Sequence, residues 1–127
     1  MRGTVDTNRQ VIQVNDYALN DGADAFVAAI SALARRTEAE GHPGVLSYRF
    51  YVNRSENTAG ATIVYADADA WVGHHRMAYE WDEMPALQAT VALTGLTIFG
   101  PINDEMRDMA AGFTYTHYDE FAAGFAR

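Results

Sequence analysis

Apolar and polar positions alternate along 10-QVIQVNDYAL-19. Ile12 and Val14 share one face with Gln10, and Val11, Gln13, Asn15 and Tyr17 share the other, which predicts a strand. The period then changes. In 20-NDGADAFVAAISALARRTEAEGHPG-44, Phe26, Ile30, Leu33 and Thr37 recur at helical spacing, with Val27 and Ala34 widening the stripe. Asn20 or Asp21 is the expected N-cap, Gly41 suits a left-handed C-terminal cap, and Pro43 prevents continuation. Strict alternation returns in 45-VLSYRFYVN-53, with Leu46, Tyr48, Phe50 and Val52 opposite Ser47, Arg49, Tyr51 and Asn53. The polar link 54-RSENTAG-60 and the apolar run 61-ATIVYA-66 complete a predicted hairpin.

Asp67 is placed to cap a second helix running to about Tyr79. The segment 83-EMPALQATVAL-93 reads as a third, short helix with Pro85 in its first turn. A strand over 95-GLTIFG-100, a helix over 103-NDEMRDMAA-111 and a fifth strand within 113-FTYTHY-118 follow. The order β-α-β-β-α-β, with an α-β extension, predicts an α+β, ferredoxin-like antiparallel sheet with helices on one face. The expected organisation is a single domain over 1–127, with a core at about 10–100 and the extension at 101–127. Tyr51, Val11 and Phe99 accompany the polar positions of the strands, so neither sheet face is uniformly polar. An uncovered face would expose a large apolar patch, which predicts a symmetric homodimer with the sheets face to face.

Composition narrows the chemistry. There is no cysteine, which removes disulfides, thiolate nucleophiles and zinc–sulfur sites. The net charge is −8 and every basic residue is an arginine, so lysine Schiff-base chemistry is excluded. The nine arginines are scattered, with only Arg35 and Arg36 adjacent, which argues against a nucleic-acid partner. No apolar run is long enough to span a membrane, and MRGTVDTNRQVIQV lacks the apolar core of a signal peptide, so a cytoplasmic location is expected. No Gly-rich phosphate loop, G-x-S-x-G elbow or H-E-x-x-H motif is present.

The phrases 43-PGVLSYRFYVN-53, 65-YADADAWVGHH-75 and 95-GLTIFGP-101 resemble the antibiotic-biosynthesis monooxygenase (ABM)-like proteins of the dimeric α+β barrel superfamily. The family's aromatic, acidic, alanine and histidine positions fall on Tyr65, Asp67, Ala70 and His74. The resemblance covers about residues 10 to 100. It implies a homodimer with a pocket in each protomer between sheet and helices. Some members oxygenate phenols or quinols with molecular oxygen and no cofactor; others bind and degrade haem; many have no known activity. Two departures matter. Ile63 and Val64 stand where members often carry a third-strand glutamate. Asn15 occupies the asparagine position of the haem-degrading branch, but its tryptophan and histidine positions fall on His74 and Met84.

His74 and His75 are sequence neighbours on a helix, so their side chains are expected to diverge by about 100°. Helical metal-ligand pairs use i, i+3 or i+4 spacing, so no metal site is expected. The resemblance makes His74 the inward member, whether as a ligand contact or as a packed core histidine, and leaves His75 solvated. Trp71, one turn earlier, is core, pocket wall or both. Tyr65 needs a partner for its hydroxyl, supplied by a ligand oxygen or by a structural hydrogen bond. Asn15, Arg49 and Tyr51 occupy the more polar strand faces and would hold a substrate oxygen if those faces line the pocket; Arg49 has a surface role as its alternative. A mid-strand amide such as Asn15 is unfavourable unless its side chain is used. His42 and His117 have no visible chemical partner, and Met77, Met84, Met106 and Met109 read as core filler.

The resulting expectation is a cofactor-independent monooxygenase acting on a small phenol or quinol. Asn15 and Tyr65 would orient the oxygen, His74 would move the proton, and Trp71, Arg49 and Tyr51 would contact the substrate. A non-enzymatic dimer binding a small hydrophobic ligand stays open as the alternative, with haem binding or degradation behind it.

Overall fold

A computed structural model describes residues 7–127. Its elements are β1 (Val11–Leu19), α1 (Ala23–Glu40), β2 (Val45–Asn53), β3 (Thr58–Tyr65), α2 (Ala68–Ala78), α3 (Glu83–Gln88), β4 (Val91–Phe99), α4 (Asp104–Ala110) and β5 (Thr116–Tyr118). The five strands form one sheet in the order β2-β3-β1-β4-β5. The first three neighbour pairs are antiparallel, and β5 joins the edge of β4 in parallel. This is the expected ferredoxin-like α+β arrangement, with the extension adding one helix and one edge strand.

Alternation in β1 decides which side the helices cover. Val11, Gln13, Asn15, Tyr17 and Leu19 are buried on the helix side. Ile12, Val14, Asp16 and Ala18 face the opposite, open side. On the helix side the stripe Phe26, Ile30, Leu33 and Thr37 of α1 is buried as its spacing predicts. Two apolar clusters fill this layer. One gathers Tyr17, Phe26, Ile30, Leu33, Trp81 and Leu87; the other gathers Val11, Ile63, Tyr65, Trp71, Ile98 and Met106. Gln13 and Asn15 belong to neither, and lie on β1 between Val11 of one cluster and Tyr17 of the other.

Several local expectations are corrected. The N-cap of α1 is Gly22, at φ +82, with no side-chain cap, rather than Asn20 or Asp21. Asn20 instead donates to the Ala89 carbonyl. Gly41 is extended, not left-handed, and its N–H closes the last turn onto the Thr37 carbonyl. Val27 is exposed and lies outside the buried stripe. The third helix stops at Gln88, and residues 91–93 belong to β4 instead. The Thr90 hydroxyl and N–H both bond the Leu87 carbonyl, closing the helix, and Val91 pairs with Leu19. The hairpin loop is shorter than the polar composition suggests, because Thr58, Ala59 and Gly60 pair with β1 and β2. Asn57 takes the left-handed turn conformation at φ +57, which asparagine tolerates, and its side chain donates to the Leu19 carbonyl.

Candidate functional site

The cap that the sequence assigns to α2 is present: the Asp67 carboxylate accepts the Ala70 N–H at 2.8 Å. It fixes the start of the helix, so Trp71, His74 and His75 fall on the flank facing β1, β2 and β3. Gly73 permits the close approach of the Pro-Gly turn: a Cβ there would lie 2.5 Å from Cδ2 of His42. His42 Nδ1 accepts the Gly44 N–H at 2.9 Å, so His42 is tied into this turn.

Between α2, α3 and the helix side of the sheet lies a cavity of about 220 Å³. Its walls are aromatic and aliphatic, with Tyr48, Phe50, Trp71, Tyr79, Leu33 and Leu96 among them. Ala110 and Phe113 also line it, so the C-terminal extension helps to bound the site.

Polar groups enter this cavity from β1. The Trp71 indole N–H donates to Gln13 Oε1 at 2.7 Å, Gln13 Nε2 donates to Asn15 Oδ1 at 2.9 Å, and Asn15 Nδ2 donates to the Tyr17 hydroxyl at 2.7 Å. The mid-strand amide of Asn15 is therefore used, within a chain of side chains spaced two apart along one strand face. Burial raises the Tyr17 hydroxyl above its usual pKa, partly offset by the Asn15 hydrogen bond, so it stays protonated at neutral pH.

Two buried polar atoms at the cavity have no hydrogen-bond partner among the described residues: the Tyr65 hydroxyl and His74 Nδ1. Tyr65 is 0% exposed and His74 is 2% exposed. Their rings lie 5.9 Å apart, and Tyr48 sits 5.5 Å from His74. Burial, followed by the like charges of His75 and His42, lowers His74 to about 3. Burial also drives the Tyr65 hydroxyl well above the usual phenol range. Both groups are thus neutral at pH 7.

His75 departs from expectation. It is half-buried rather than solvated and lines the same cavity as His74, with the two rings 5.1 Å apart and nearly perpendicular. Helical divergence still holds. His74 turns beneath the helix toward Tyr48 and Tyr65, while His75 stacks on Trp71 at 3.8 Å and meets Tyr79. The cavity spans both directions. His75 Nδ1 lies 2.7 Å from the Trp71 carbonyl, which only accepts, so Nδ1 carries the proton and Nε2 keeps a lone pair. Burial lowers His75 to about 4 despite that hydrogen bond.

The fold therefore brings together Asn15, Tyr65, Trp71 and His74. Arg49 and Tyr51 are on the open face of β2, exposed and away from the cavity, with Tyr51 59% exposed. Alternation required this: Tyr48 and Phe50 line the cavity, so Arg49 and Tyr51 point the other way. Gln13, Tyr17 and His75 were missed. Gln13 and Tyr17 share Asn15's strand face, and that alternation was the available signal. Among the described residues no three His, Asp or Glu side chains converge as metal ligands, and no helix is long and apolar enough to cross a membrane.

No protein-family model and no curated protein matches the sequence. Solved structures do match. The fold is that of ABM-like proteins, and its relatives in structure include an oxygenase. MupZ from Pseudomonas fluorescens superposes with a TM-score of 0.77 at 20% identity, covering 94% of this chain and 96% of that one. Such coverage requires most of the segment after Gly100 to be matched as well. SnoaB from Streptomyces nogalater, a cofactor-independent oxygenase, matches with a TM-score of 0.55 at 21% identity, over 69% of this chain and 90% of its own. A candidate antibiotic biosynthesis monooxygenase from Caulobacter crescentus also scores 0.55 at 21% identity, over 72% and 86%. These identities establish a shared fold and assign no residue role or reaction to this chain.

Proposed function

We propose that this protein is a cofactor-independent monooxygenase of a small, electron-rich phenol or quinol. The observation that carries the reading is the pairing of an aromatic cavity with uncharged polar groups, two of them buried without a partner among the described residues. An oxygen-bearing ring would occupy the apolar walls and satisfy the Tyr65 hydroxyl and His74. SnoaB, a cofactor-independent oxygenase, shares the fold. At about 220 Å³ the cavity is smaller than the roughly 300–1,000 Å³ typical of ligand pockets, which favours a monocyclic or bicyclic substrate.

In the proposed reaction the substrate anion is the only reductant. Removal of a proton by His74 or His75 gives a phenolate or carbanion held by hydrogen bonds from Asn15, Tyr17 and Tyr65. Transfer of electrons from the anion to dioxygen and formation of a C–O bond gives a peroxide anion. The histidine returns its proton to give a hydroperoxide; loss of the hydrogen left on that carbon breaks the C–H and O–O bonds together, expels water and leaves one oxygen atom in the product as a carbonyl. The substrate supplies all the electrons, and the second oxygen atom leaves as water. Low histidine basicity in the buried cavity keeps both rings neutral and able to accept at pH 7. An adjacent anion then raises the affinity for the proton. Trp71 contributes its ring face, since its N–H is committed to Gln13.

The open sheet face supports a second part of the proposal, a homodimer. Ile12, Val14 and Val64 lie half-buried there, and Tyr51, Phe99 and Tyr118 are exposed. Phe99 and Tyr118 stack at 5.4 Å, extending the apolar surface onto β5. The direct test of the reaction is oxygen consumption by purified protein with a panel of hydroquinones, naphthols and anthrones. Turnover of the smaller rings supports the reading; no uptake with any of them, from folded protein, counts against it.

A further inference from the structure

The relay on β1 has a direction, and elementary donor chemistry sets it. Indole nitrogen only donates, so the Gln13 atom facing Trp71 at 2.7 Å must be its oxygen. That orients the Gln13 amide and turns its NH₂ toward Asn15, whose facing atom must then be Oδ1. The Asn15 NH₂ is left facing the Tyr17 hydroxyl, 2.7 Å away. A hydroxyl oxygen that accepts from an amide keeps its own proton for another partner. No acceptor for that proton is present among the hydrogen bonds of the described residues, and Tyr17 lines the cavity.

We propose that Trp71, acting through Gln13 and Asn15, turns the Tyr17 hydroxyl proton toward the cavity, making Tyr17 a donor to a substrate phenolate or enolate oxygen and Gln13 the positioning residue that enforces this. The inference rests on the cavity being the substrate site, and assigns it an anionic, planar oxygen ligand. Each amide in the chain would be free to rotate without Trp71, and a rotated Asn15 would present its carbonyl to Tyr17 and take up that proton itself. Three hydrogen bonds in series also polarise one another, so the Tyr17 hydroxyl at their end is strengthened as a donor to an anion. Burial keeps Tyr17 protonated, which preserves the donor through neutral pH. Tyr65, buried in the same cavity without a partner among the described residues, supplies a second hydroxyl for the same oxygen.

The test uses 4-nitrophenol as the anion probe, because its phenolate and phenol absorb differently, with 4-nitroanisole as a matched ligand that cannot ionise. Titrations are run without dioxygen in the full chain. Wild-type protein is expected to bind the phenolate more tightly than the phenol, which appears as a lowered pKa of the bound probe. Tyr17→Phe should weaken phenolate binding roughly ten- to a hundredfold, the value of one charge-assisted hydrogen bond, and change 4-nitroanisole binding by less than about twofold. Gln13→Leu, which leaves Tyr17 in place but frees Asn15 to turn, should weaken phenolate binding by about three- to tenfold, again with little effect on 4-nitroanisole. If Gln13→Leu fails to fold, Gln13→Met, closer in length and equally unable to hold Asn15, takes its place, and full phenolate affinity in the folded Gln13 variant overturns the positioning role. Equal losses for both ligands, an unshifted bound pKa in the wild type, or full phenolate affinity in Tyr17→Phe would each overturn the proposal. Phenolate preference without oxygen uptake in air rejects the oxygenase reading and keeps this one; uptake without phenolate preference does the reverse.

Discussion

Tyr65→Phe separates a ligand-binding hydroxyl from a structural one by the sign of its effect on stability. The substitution deletes a single oxygen from a side chain that is 0% exposed, and leaves its ring in place against the cluster around Val11 and Trp71. That hydroxyl has no hydrogen-bond partner among the described residues. Burying an unsatisfied hydroxyl costs about 1–3 kcal/mol, so its removal should stabilise the ligand-free protein by about 1–2 kcal/mol after a small loss of packing at the missing oxygen. For a chain of 127 residues that gain corresponds to a Tm increase of roughly 3–8 °C. Circular dichroism melts and urea unfolding measure it, with an unchanged m-value showing that stability alone has moved. The same variant should bind a phenol about three- to tenfold more weakly, since it loses one hydrogen bond to the ligand. A variant that melts lower than the wild type would refute the reasoning, because it would mean that the hydroxyl holds the fold together through a partner. Unchanged stability together with unchanged binding would refute it as well.

The remaining predictions probe other parts of the molecule. His74 and His75 have folded-state pKa values of about 3 and about 4, below the unfolded value of roughly 6.5, so the unfolded chain takes up protons first on acidification. Their contribution is fully present above about pH 6.5 and is lost progressively toward pH 3–4; His74 alone should reduce stability by roughly 2 kcal/mol at about pH 5. Urea midpoints against pH should show this slope, and His74→Gln should flatten it; an equal slope in the variant would contradict the assignment. Gly73→Ala should destabilise by about 1–3 kcal/mol, although alanine favours helices, because its Cβ meets the His42 ring at 2.5 Å. Combining it with His42→Ala should recover most of that loss in the same unfolding assay. The proposed pairing of open sheet faces predicts a dimer by sedimentation at micromolar concentration and a monomer for Val14→Glu, on the centre of that face; a wild-type monomer would reject the pairing.

Elements with a strong period were legible in the sequence. The α1 stripe, the alternation of β1 and that of β2 from Tyr48 onward needed only side-chain spacing, and the Asp67 cap needed only a carboxylate before a helix; a register shift between Val45 and Ser47 breaks the alternation and leaves Leu46 exposed, not on the face of Tyr48. Tertiary pairing decided the elements that were misplaced. Thr90 to Leu93 carry β-branched and aliphatic residues that suit either state, and pairing of Val91 with Leu19 settles them as strand. In the site, Asn15 was detectable because an amide in mid-strand demands a use. Its partners could not be assigned without knowing that α2 lies across β1 with Trp71 above Gln13. Arg49 and Tyr51 carry the polarity expected of a pocket but lie off it, because this cavity is on the Tyr48–Phe50 face of β2 and the Ile63–Tyr65 face of β3. Helical divergence alone predicts a solvated His75, so its place in the cavity wall was not legible in the sequence. A cavity wide enough to reach both directions is a property of the packing of α2 over the sheet.

The central claim is that the aromatic cavity oxygenates an electron-rich ring using electrons from that ring alone. Incubating the purified protein with isotopically labelled dioxygen and a hydroquinone or naphthol, with no added reductant, flavin or metal and with chelator present, tests it directly. Mass spectrometry should find one labelled oxygen atom in the quinone product for each dioxygen consumed, with the rate falling in Tyr65→Phe and His74→Gln. Retention of the intact ring compound by a folded protein, with no label incorporated and no oxygen consumed, would contradict it.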